Sequence, residues 1–517
     1  MNRFTAKRQN GRAHRTGNPR KRPSLLLSLA PVATLTGLMA VTIRTFGNDA
    51  LGGASQLVLL ASAAVCCLLA MTCCGIRWKN IEAAIVRNMA NVSPALLILL
   101  FVGALSGSWM VGGVIPTLIY YGVQLIRPDF FLASTCVICA FVSLMTGSSW
   151  TTVATLGIAL AGIGRVQGFG EGWIAGAIIS GAYFGDKISP LSDTTILASS
   201  ITGTPLFRHI RYMLITTIPS LTLAILIYLV AGLVRTSAPS MDIDSFASAL
   251  AQTYHISPWL LLVPLLMGVL IGRKAPPVVT LFVSAVAGGL AALVFQPDIL
   301  RQLGGPEASG AGPVYRGLMQ AFCGQTQMHT GNETLDGLTV TRGMAGMLNT
   351  VWLIVCAMCF GGAMTASGML TAITSVFLRG MKGRTGMVTS AVCSGLFLNA
   401  CTADQYLSII LSGNMFREAF RKKGYESRLL SRSIEDGATV TSPLIPWNTC
   451  GMTQAAVLQI HTLTYLPYCF FNLLSPLSSI LVAAVGYKIK RRENAGDGEG
   501  NDKMLPAKQL KKEGRRR

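Results

Sequence analysis

Long apolar runs, separated by short polar loops, dominate the pattern of hydrophobic and polar positions along the chain. A helix needs about 20 mostly apolar residues to cross the hydrocarbon core of a bilayer, and such runs recur from Ser24 to Tyr487. The pattern predicts an all-α polytopic membrane protein that has no soluble domain between its spans. Ten full crossings are expected, at residues 24–46, 54–76, 94–126, 172–207, 211–234, 257–272, 276–296, 347–378, 433–460 and 463–486.

Two further apolar segments, 130–164 and 386–413, carry polar residues near the middle, at Thr146–Trp150 and Asn399–Asp404. We interpret both as re-entrant hairpins that enter and leave on the same side of the membrane. Loop charge favours this interpretation, because basic loops are retained in the cytoplasm. With both hairpins re-entrant, 35 of the 43 Lys and Arg residues fall on the side of the termini.

The same layout predicts an inverted-topology repeat with two broken helices. Residues 94–234 and 347–486 both follow the order long span, hairpin, broken span, span, but they begin on opposite sides. Discontinuous helices in such repeats meet near the midplane and bind substrate or ion. The other predicted parts are a basic tail at 1–23, two N-terminal spans at 24–93, linking spans and an outer loop at 235–346, and a basic tail at 487–517.

Charge and composition agree with this picture. Of 517 residues, 51% are hydrophobic and 13% charged, whereas about 25% of a soluble domain is charged. The net charge of +21 is concentrated in the tails and in loops beside apolar runs, which favours a cytoplasmic face over a nucleic-acid partner. We therefore expect a multi-pass protein of the bacterial inner membrane, with both termini in the cytoplasm.

The broken spans carry the candidate chemistry. Gly185–Thr195 contains Pro190, and Thr441–Thr449 contains Pro443 and Pro446, which interrupt a helix because proline lacks a backbone donor. Backbone groups freed inside the membrane need protein, water or a bound ion, and the neighbouring oxygen-rich side chains suit a hard monovalent cation. The alternative is a pair of simple proline kinks whose Ser and Thr hydroxyls bond back to the helix.

Buried acids strengthen the functional interpretation, since a carboxylate within a span normally faces a cavity or a partner. The layout places Asp186, Asp193 and Asp404 deep, and Glu435 and Asp436 near an entrance. We expect Lys187 to pair with Asp186. A carboxylate that accepts either a proton or a sodium ion provides a mechanism for exchange.

An enzymatic alternative starts from Gly147-x-Ser149, which has the pattern of the nucleophile in intramembrane serine hydrolases. Its histidine partner would be His461, which lies at a predicted outer end. We expect no catalytic residue and no resident cofactor.

The segments TGSSWTTVATLGIALAGIG, GAIISGAYFGDKISPLSDTT, NACTADQYLSIIL and EDGATVTSPLIPWNTCG resemble motifs of the NhaC-type sodium/proton antiporter family, which includes malate/lactate antiporters. The resemblance covers about residues 94–486 and implies an inverted-repeat carrier that exchanges sodium for protons. Its motif positions are Ser149, Trp150, Thr152, Asp186, Ser189, Asp193, Thr194, Asp404, Asp436, Ser442, Asn448 and Thr449.

The leading hypothesis is a secondary sodium/proton antiporter in which Asp193 and Asp404 bind sodium. The alternative cargo is an organic acid such as malate or lactate, moved together with sodium. The expected partners are the lipid bilayer, the sodium ion and the proton, and a homodimer is compatible with this architecture. Ile196 departs from the family pattern, in which an Asn commonly follows the Thr pair. The departure removes a possible amide ligand and therefore bears on which species is transported.

Overall fold

The structure is a computed structural model that describes residues 23–46, 52–234, 243–305, 311–328, 336 and 339–489, without the side chains of 243–246. Most of both predicted basic tails lies outside the described residues. The described regular structure is helical, apart from an isolated β-bridge between Thr326 and Thr341. The two N-terminal helices are α1 (Leu25–Phe46) and α2 (Ala54–Thr72).

The first half of the repeat follows as a series of helices that includes the first hairpin and the first broken span. Its elements are α3 (Trp78–Val111), α4 (Val114–Leu125), α5 (Phe131–Thr146), α6 (Ser149–Thr152), a π-helical turn (Val153–Gly157), α7 (Ile158–Val166), α8 (Glu171–Ile188), α9 (Asp193–Thr202) and α10 (Leu206–Val234). The linking segment contains α11 (Ile243–Thr253), α12 (Leu262–Gly272), α13 (Pro277–Phe295), α14 (Pro297–Gly304) and α15 (Gly312–Cys323).

The second half repeats the order of the first. Its elements are α16 (Gly343–Ala366), α17 (Met369–Arg379), α18 (Gly383–Thr402), α19 (Gln405–Lys422), α20 (Ser427–Ile434), a π-helical turn (Glu435–Thr439), a 3-10 turn (Ser442–Leu444), α21 (Thr449–Leu458), α22 (Thr462–Tyr465) and α23 (Phe470–Val485).

The long spans differ in detail from the sequence prediction. The span predicted at 94–126 begins at Trp78 and breaks at Gly112-Gly113, where Gly113 has φ 77°. The early start was missed because residues 78–93 are a polar, helix-forming stretch, which apolar runs do not detect. The span predicted at 347–378 breaks in the same way at Ser367-Gly368, where Gly368 has φ 74°.

Seven helices in the described part of the chain are long and apolar enough to cross a membrane, and two bent pairs bring the number to nine. Six of these helices and both bent pairs fall on predicted crossings. The seventh, Pro128–Thr146, is the entering arm of the first predicted hairpin. The remaining predicted crossings, 172–207 and 433–460, are the two broken spans; α8 of the first has 18 residues but carries Glu171, Asp186 and Lys187, and the helices of the second are shorter.

Contacts between helices establish that the first hairpin doubles back. Gly181 and Gly185 of α8 pack on the backbone of Cys136 and Leu144, so α5 runs parallel to α8. Further along the chain, the returning arm runs antiparallel to α8, because Gly157 contacts Ile178 whereas Gly164 of α7 contacts Ile174. The arms α5 and α7 are therefore antiparallel around the tip at Gly147.

Equivalent helices of the two halves run in opposite directions. In α10 and α23, the Tyr228 hydroxyl donates to the Tyr468 carbonyl at 2.6 Å, and the Ser220 hydroxyl donates to Ser478 at 2.9 Å. Tyr212 bonds the carbonyl of Lys488, just beyond α23. Sequence numbers rise along one helix as they fall along the other, which confirms the predicted inverted topology of the repeat.

Candidate functional site

The tip of the first hairpin is a turn closed by its own hydroxyls. Gly147 adopts φ 69°, and the Ser148 side chain caps the returning arm by accepting from Thr151 N at 3.2 Å. The Ser148 backbone N–H donates to Thr146 Oγ1 at 3.2 Å, and Thr152 Oγ1 donates to the Ser148 carbonyl at 2.9 Å. Thr152, a predicted ligand, therefore holds the tip together.

The second hairpin tip has the same hydrogen bonds. Ala403 adopts φ 56°, and Asp404 caps α19 through Leu407 N at 2.8 Å. The Asp404 N–H donates to Thr402 Oγ1 at 3.2 Å, and Ser408 Oγ donates to the Asp404 carbonyl at 2.8 Å. In both tips the carboxyl end of one arm meets the amino end of the next, and the amino end favours the negative charge of Asp404.

Asp186 joins the first tip to the first break. The Ser149 hydroxyl donates to Asp186 Oδ2 at 2.7 Å, and the Ser192 hydroxyl donates to Oδ1 at 2.6 Å. Thr194 Oγ1 lies 2.9 Å from Ser192 Oγ and extends the group of hydroxyls. Asp186 is buried, and no ion pair among the described residues includes it. Its carboxylate is thus held by neutral donors, with its charge uncompensated.

Ser189 has a different task from the hydroxyls that surround Asp186. Its hydroxyl donates to the Leu144 carbonyl at 2.9 Å and accepts from Leu191 N at 3.2 Å. It thereby fixes the break against the entering arm of the hairpin. The simple kink alternative holds only in part, because Thr195 bonds the carbonyl of Lys187 whereas Ser192 bonds the carboxylate.

The second tip and the second break are joined in an equivalent way. Ser442 Oγ donates to Gln405 Oε1 at 3.1 Å, and Thr449 N donates to the Ala403 carbonyl at 2.8 Å. Thr449 Oγ1 donates to Asp404 Oδ2 at 3.4 Å. Asn448 caps α21 through Cys450 N at 3.0 Å. This half of the site therefore presents mainly hydroxyl and amide oxygens around one carboxylate.

The hydrogen bonds correct the register of the repeat. The Ser149–Asp186 bond corresponds to Gln405–Ser442, and the Ser143 hydroxyl bonds the Ala182 carbonyl as Asn399 bonds that of Ala438. In this register Ser442 corresponds to Asp186, and Pro446 corresponds to Pro190. The Ser-Pro-Leu segments at 189–191 and 442–444 are therefore not equivalent, although they share the same three residues.

The two halves meet at these segments. The helix α21 packs against α6 and its π-helical turn, while α19 packs against α9, so each hairpin contacts the broken span of the other half. Tyr406 lies close enough to Asp186, Asp193 and Asp404 for all three charges to act on its hydroxyl. The structure thus brings the tips and the breaks together at one place.

Two acids occupy environments opposite to those predicted. Asp193, expected to be deep, is exposed at the first residue of α9. Asp436, expected near an entrance, is buried, as is Glu435. Pro190 and the following turn interrupt the helix before Asp193, whose side chain is exposed while that of Ser192 is buried beside Asp186.

The predicted pairing of Lys187 with Asp186 is wrong. Lys187 Nζ instead contacts Asp436 Oδ1 and donates to Ser475 Oγ at 2.8 Å. Successive residues of a helix point about 100° apart, and this separation sends Lys187 toward the second half while Asp186 faces the first tip. Asp436 is consequently paired with a lysine, and its carboxylate is not free to bind a cation in this arrangement.

Sequence reasoning missed several residues of the site. These are Gln405, which accepts from both Ser442 and Cys450, Cys450 itself, and Tyr183, which lies beside Cys450 together with the predicted motif residue Trp150. A signal was available for Gln405, which directly follows Asp404 in the hairpin motif. The hydrolase alternative is contradicted by geometry, because Ser149 donates to a carboxylate and bonds no histidine within the part of the chain that the structure describes.

An inverted repeat with two broken spans, hairpin tips at their breaks and a buried carboxylate without a cationic partner defines a multi-pass secondary transporter. Residues 181–487 match the model of the Na+/H+ antiporter family. The chain is 34% identical over 442 residues to the Na(+)/H(+) antiporter NhaC of Alkalihalophilus pseudofirmus, covering 84% of this chain and 92% of that protein. The chain belongs to the Na+/H+ antiporter family, and it is a transporter and not an enzyme.

Relatives within the same range of identity carry other names. The chain is 35% identical over 434 residues to the malate-2H(+)/Na(+)-lactate antiporter of Bacillus subtilis, covering 83% of this chain and 89% of that protein. It is 32% identical over 491 residues to the arginine/ornithine antiporter ArcD of Halobacterium salinarum, covering 93% of this chain and 96% of that protein. Antiport is common to these names, while the transported species differ.

Proposed function

We propose that the protein exchanges sodium ions for protons across the bacterial inner membrane, and that Asp186 is the central carboxylate of its cation site. The observation that carries the proposal is the buried Asp186 carboxylate, bonded by Ser149 and Ser192 and free of any ion pair among the described residues. A buried charge without a partner is costly. A bound sodium ion removes that cost, so the site favours a cation, and a proton taken up in the same charged region competes with that cation.

Asp404 is the second carboxylate of the proposed site. Its Oδ1 is used in capping α19, while Oδ2 faces the Thr449 hydroxyl. Ser442 and Asn448 add oxygens from the second break. Sodium favours several hard oxygen ligands, which hydroxyl, amide and carboxylate groups supply. In this proposal Asp186 takes the role that sequence reasoning gave to Asp193.

An organic acid is the second candidate cargo, favoured by the similarity to a malate/lactate antiporter. The electrostatics of the site argue for a cation. Asp186, Asp193 and Asp404 all act on Tyr406, and Lys187, the basic residue beside Asp186, is committed to Asp436. A carboxylate substrate would meet these three acids without a free cationic side chain beside Asp186.

The test is sodium-driven proton movement in proteoliposomes that contain a trapped pH indicator. External sodium is expected to make the lumen alkaline with the wild-type protein, and Asp186→Asn is expected to abolish the response. Glu418→Gln, which alters an exposed acid in an ion pair with Lys422, is the control that keeps full exchange. Size-exclusion profiles of each variant separate loss of transport from loss of folding.

Two outcomes contradict the proposal: full exchange by Asp186→Asn, or a wild-type protein that does not move protons in response to sodium. In parallel vesicles, labelled malate and lactate are offered with sodium. The organic-acid alternative is established if sodium drives uptake of either acid and if no sodium/proton exchange occurs when the acid is left out.

A further inference from the structure

Glu435 is a buried acid that the proposed cation site does not use. Its side chain is fully buried, and neither carboxylate oxygen forms a hydrogen bond of normal geometry among the described residues, although the Thr439 hydroxyl lies near enough to act on it. The other acids of the region are satisfied, since Asp186 is bonded by two serines and Asp436 by Lys187 and Ser475. An ionised carboxylate in this position has lost its hydrating water without gaining a well-formed hydrogen bond. The charged form of Glu435 is therefore high in free energy.

Arg432 is the cationic counterpart of this orphan acid. It is also fully buried, and its Nε, Nη1 and Nη2 atoms lack hydrogen-bond partners in the described structure. Its guanidinium lies over the Tyr212 ring, 4.7 Å from the centroid, and Nε is 4.0 Å from Asp436 Oδ2. Asp436 already contacts Lys187, so it does not satisfy the guanidinium.

The two orphan groups lie on neighbouring turns of one broken span. Arg432 lies in the last turn of α20, and Glu435, three residues later, begins the π-helical turn that follows it. Side chains three apart on a helix are neighbours on its surface, and π-helical turns are frequent at functional sites. This spacing allows the carboxylate and the guanidinium to meet after a change of side-chain rotamer.

Charge balance makes both protonation states of Glu435 accessible. With His209 counted as neutral, Lys187 and Arg432 supply two positive charges, and Asp436 and an ion-free Asp186 supply two negative charges. A protonated Glu435 keeps this cluster neutral, whereas an ionised Glu435 neutralises it when a bound sodium ion offsets the charge of Asp186. Each protonation state of Glu435 is therefore favoured by a different state of the cation site.

We propose that Glu435 binds and releases the exchanged proton, and that Arg432 becomes the counter-ion of its carboxylate when the proton leaves. The inference rests on the proposed sodium/proton exchange and assigns the proton to a residue separate from the Asp186 cation site. In the step, the Glu435 carboxyl releases one proton to water, and the resulting carboxylate forms an ion pair with the guanidinium. Rebinding of a proton from water breaks the pair.

Besides Arg432, three charged groups set the pH at which the step occurs. Asp186, Lys187 and Asp436 act on Glu435 directly, and His209 of α10 bonds Ser431 beside Arg432. The helices α9, α18, α19 and α23 also pack on this turn. Their charged residues lie at helix ends, at Asp193, Arg384, Arg417, Glu418, Arg421 and Lys422, and α23 has none.

The experiment compares two transport modes in the same proteoliposomes. One is exchange of labelled for unlabelled sodium at equal concentrations, which needs no proton, and the other is sodium-driven proton movement. Glu435→Gln removes the titrating group but keeps the shape, so we expect sodium/sodium exchange within threefold of wild type and at least a fiftyfold loss of proton movement. Glu418→Gln is the matched control and should retain both modes.

A second variant tests the counter-ion. Arg432→Gln removes the charge that stabilises the ionised carboxylate, so proton release should require a higher pH and the pH profile of exchange should shift upward. Glu435→Asp, which keeps the acid, should retain proton movement with an altered profile. These variants distinguish a proton carrier from a residue needed only for folding.

Each contrary result has a distinct meaning. Sodium-driven proton movement by Glu435→Gln overturns this inference while the proposed function stands. Loss of both modes by a well-folded Glu435→Gln overturns the assignment of Glu435 to the proton alone. Absence of sodium/proton exchange in the wild type overturns the proposed function, and this inference with it.

Discussion

The hydroxyl of Ser149, at the first hairpin tip, donates a 2.7 Å hydrogen bond to Oδ2 of Asp186, at the end of α8. The corresponding residues of the second half, Gln405 and Ser442, make the equivalent contact without a carboxylate. The repeat therefore conserves a connection between tip and break while changing its chemistry. Only the first half places a negative charge in that connection, so the two halves contribute unequally to a cation site.

Ser149→Ala should weaken sodium binding without preventing folding. A hydrogen bond to a charged group contributes about 1.5–3 kcal/mol, and its loss leaves the Asp186 carboxylate less well oriented for sodium. We expect the KM for sodium to rise about tenfold at neutral pH, with a smaller change in kcat, in a proteoliposome assay. Ser192→Ala should have the same effect. Ser200→Ala, at an exposed position, is the control and should leave the KM for sodium unchanged. An unchanged KM in both variants would contradict the role of these hydroxyls.

The ion pair between Lys187 and Asp436 predicts coupled effects on stability. Removing one partner of a buried pair leaves an uncompensated charge and costs about 3–5 kcal/mol. Lys187→Met and Asp436→Asn should each lower the apparent melting temperature of the detergent-solubilised protein, while the double variant should recover at least half of the loss. Strictly additive destabilisation would show that the two side chains are not energetically coupled.

The fold was predictable to the extent that it depends on apolar length and loop charge. These signals gave the crossings, the hairpins and the inverted order of the repeat. They did not give the breaks at Gly113 and Gly368, because a glycine inside an apolar run does not change the run. They also missed the beginning of α3 at Trp78, since its first turns are polar.

The site was less predictable because the position of a residue along a span does not determine the direction in which its side chain points. Asp186 and Lys187 are adjacent, yet they face different halves of the repeat, and Asp193 points outward just beyond a proline. The register of the repeat could not be predicted from the sequence alone either. Ser442 corresponds to Asp186 through its hydrogen bond to Gln405, and only the three-dimensional contacts show this equivalence.

Glycines at the hairpin–helix contact predict a strict size limit. A Cβ added at Gly181 would lie 2.2 Å from the Cys136 carbonyl oxygen, and one at the corresponding Gly437 would lie 2.5 Å from that of Val392. Overpacking against backbone costs about 1–3 kcal/mol or more. Gly181→Ala and Gly437→Ala should reduce the yield of monodisperse protein severalfold, measured by size exclusion. Gly268→Ala, with no atom within 4 Å of the added carbon, should leave it unchanged.

Ile196 departs from the family pattern, and its location predicts a small effect. Its side chain is 45% exposed and lies one helical turn after Asp193, on the outward face of α9. An amide introduced there does not join the hydroxyls around Asp186. Ile196→Asn should therefore change the KM values for sodium and lithium less than twofold in proteoliposomes. A larger change in their ratio would place residue 196 among the ligands.

Asp193→Asn provides the sharpest comparison with Asp186→Asn, because the two acids belong to the same broken span and differ in exposure. Water and salt screen an exposed charge, so Asp193 should act on the cation only at a distance. We expect Asp193→Asn to raise the KM for sodium less than tenfold and to lose that effect at high ionic strength. Asp186→Asn should abolish exchange at every ionic strength. The reverse ranking of the two variants would return the central role to Asp193 and contradict the site built around Asp186.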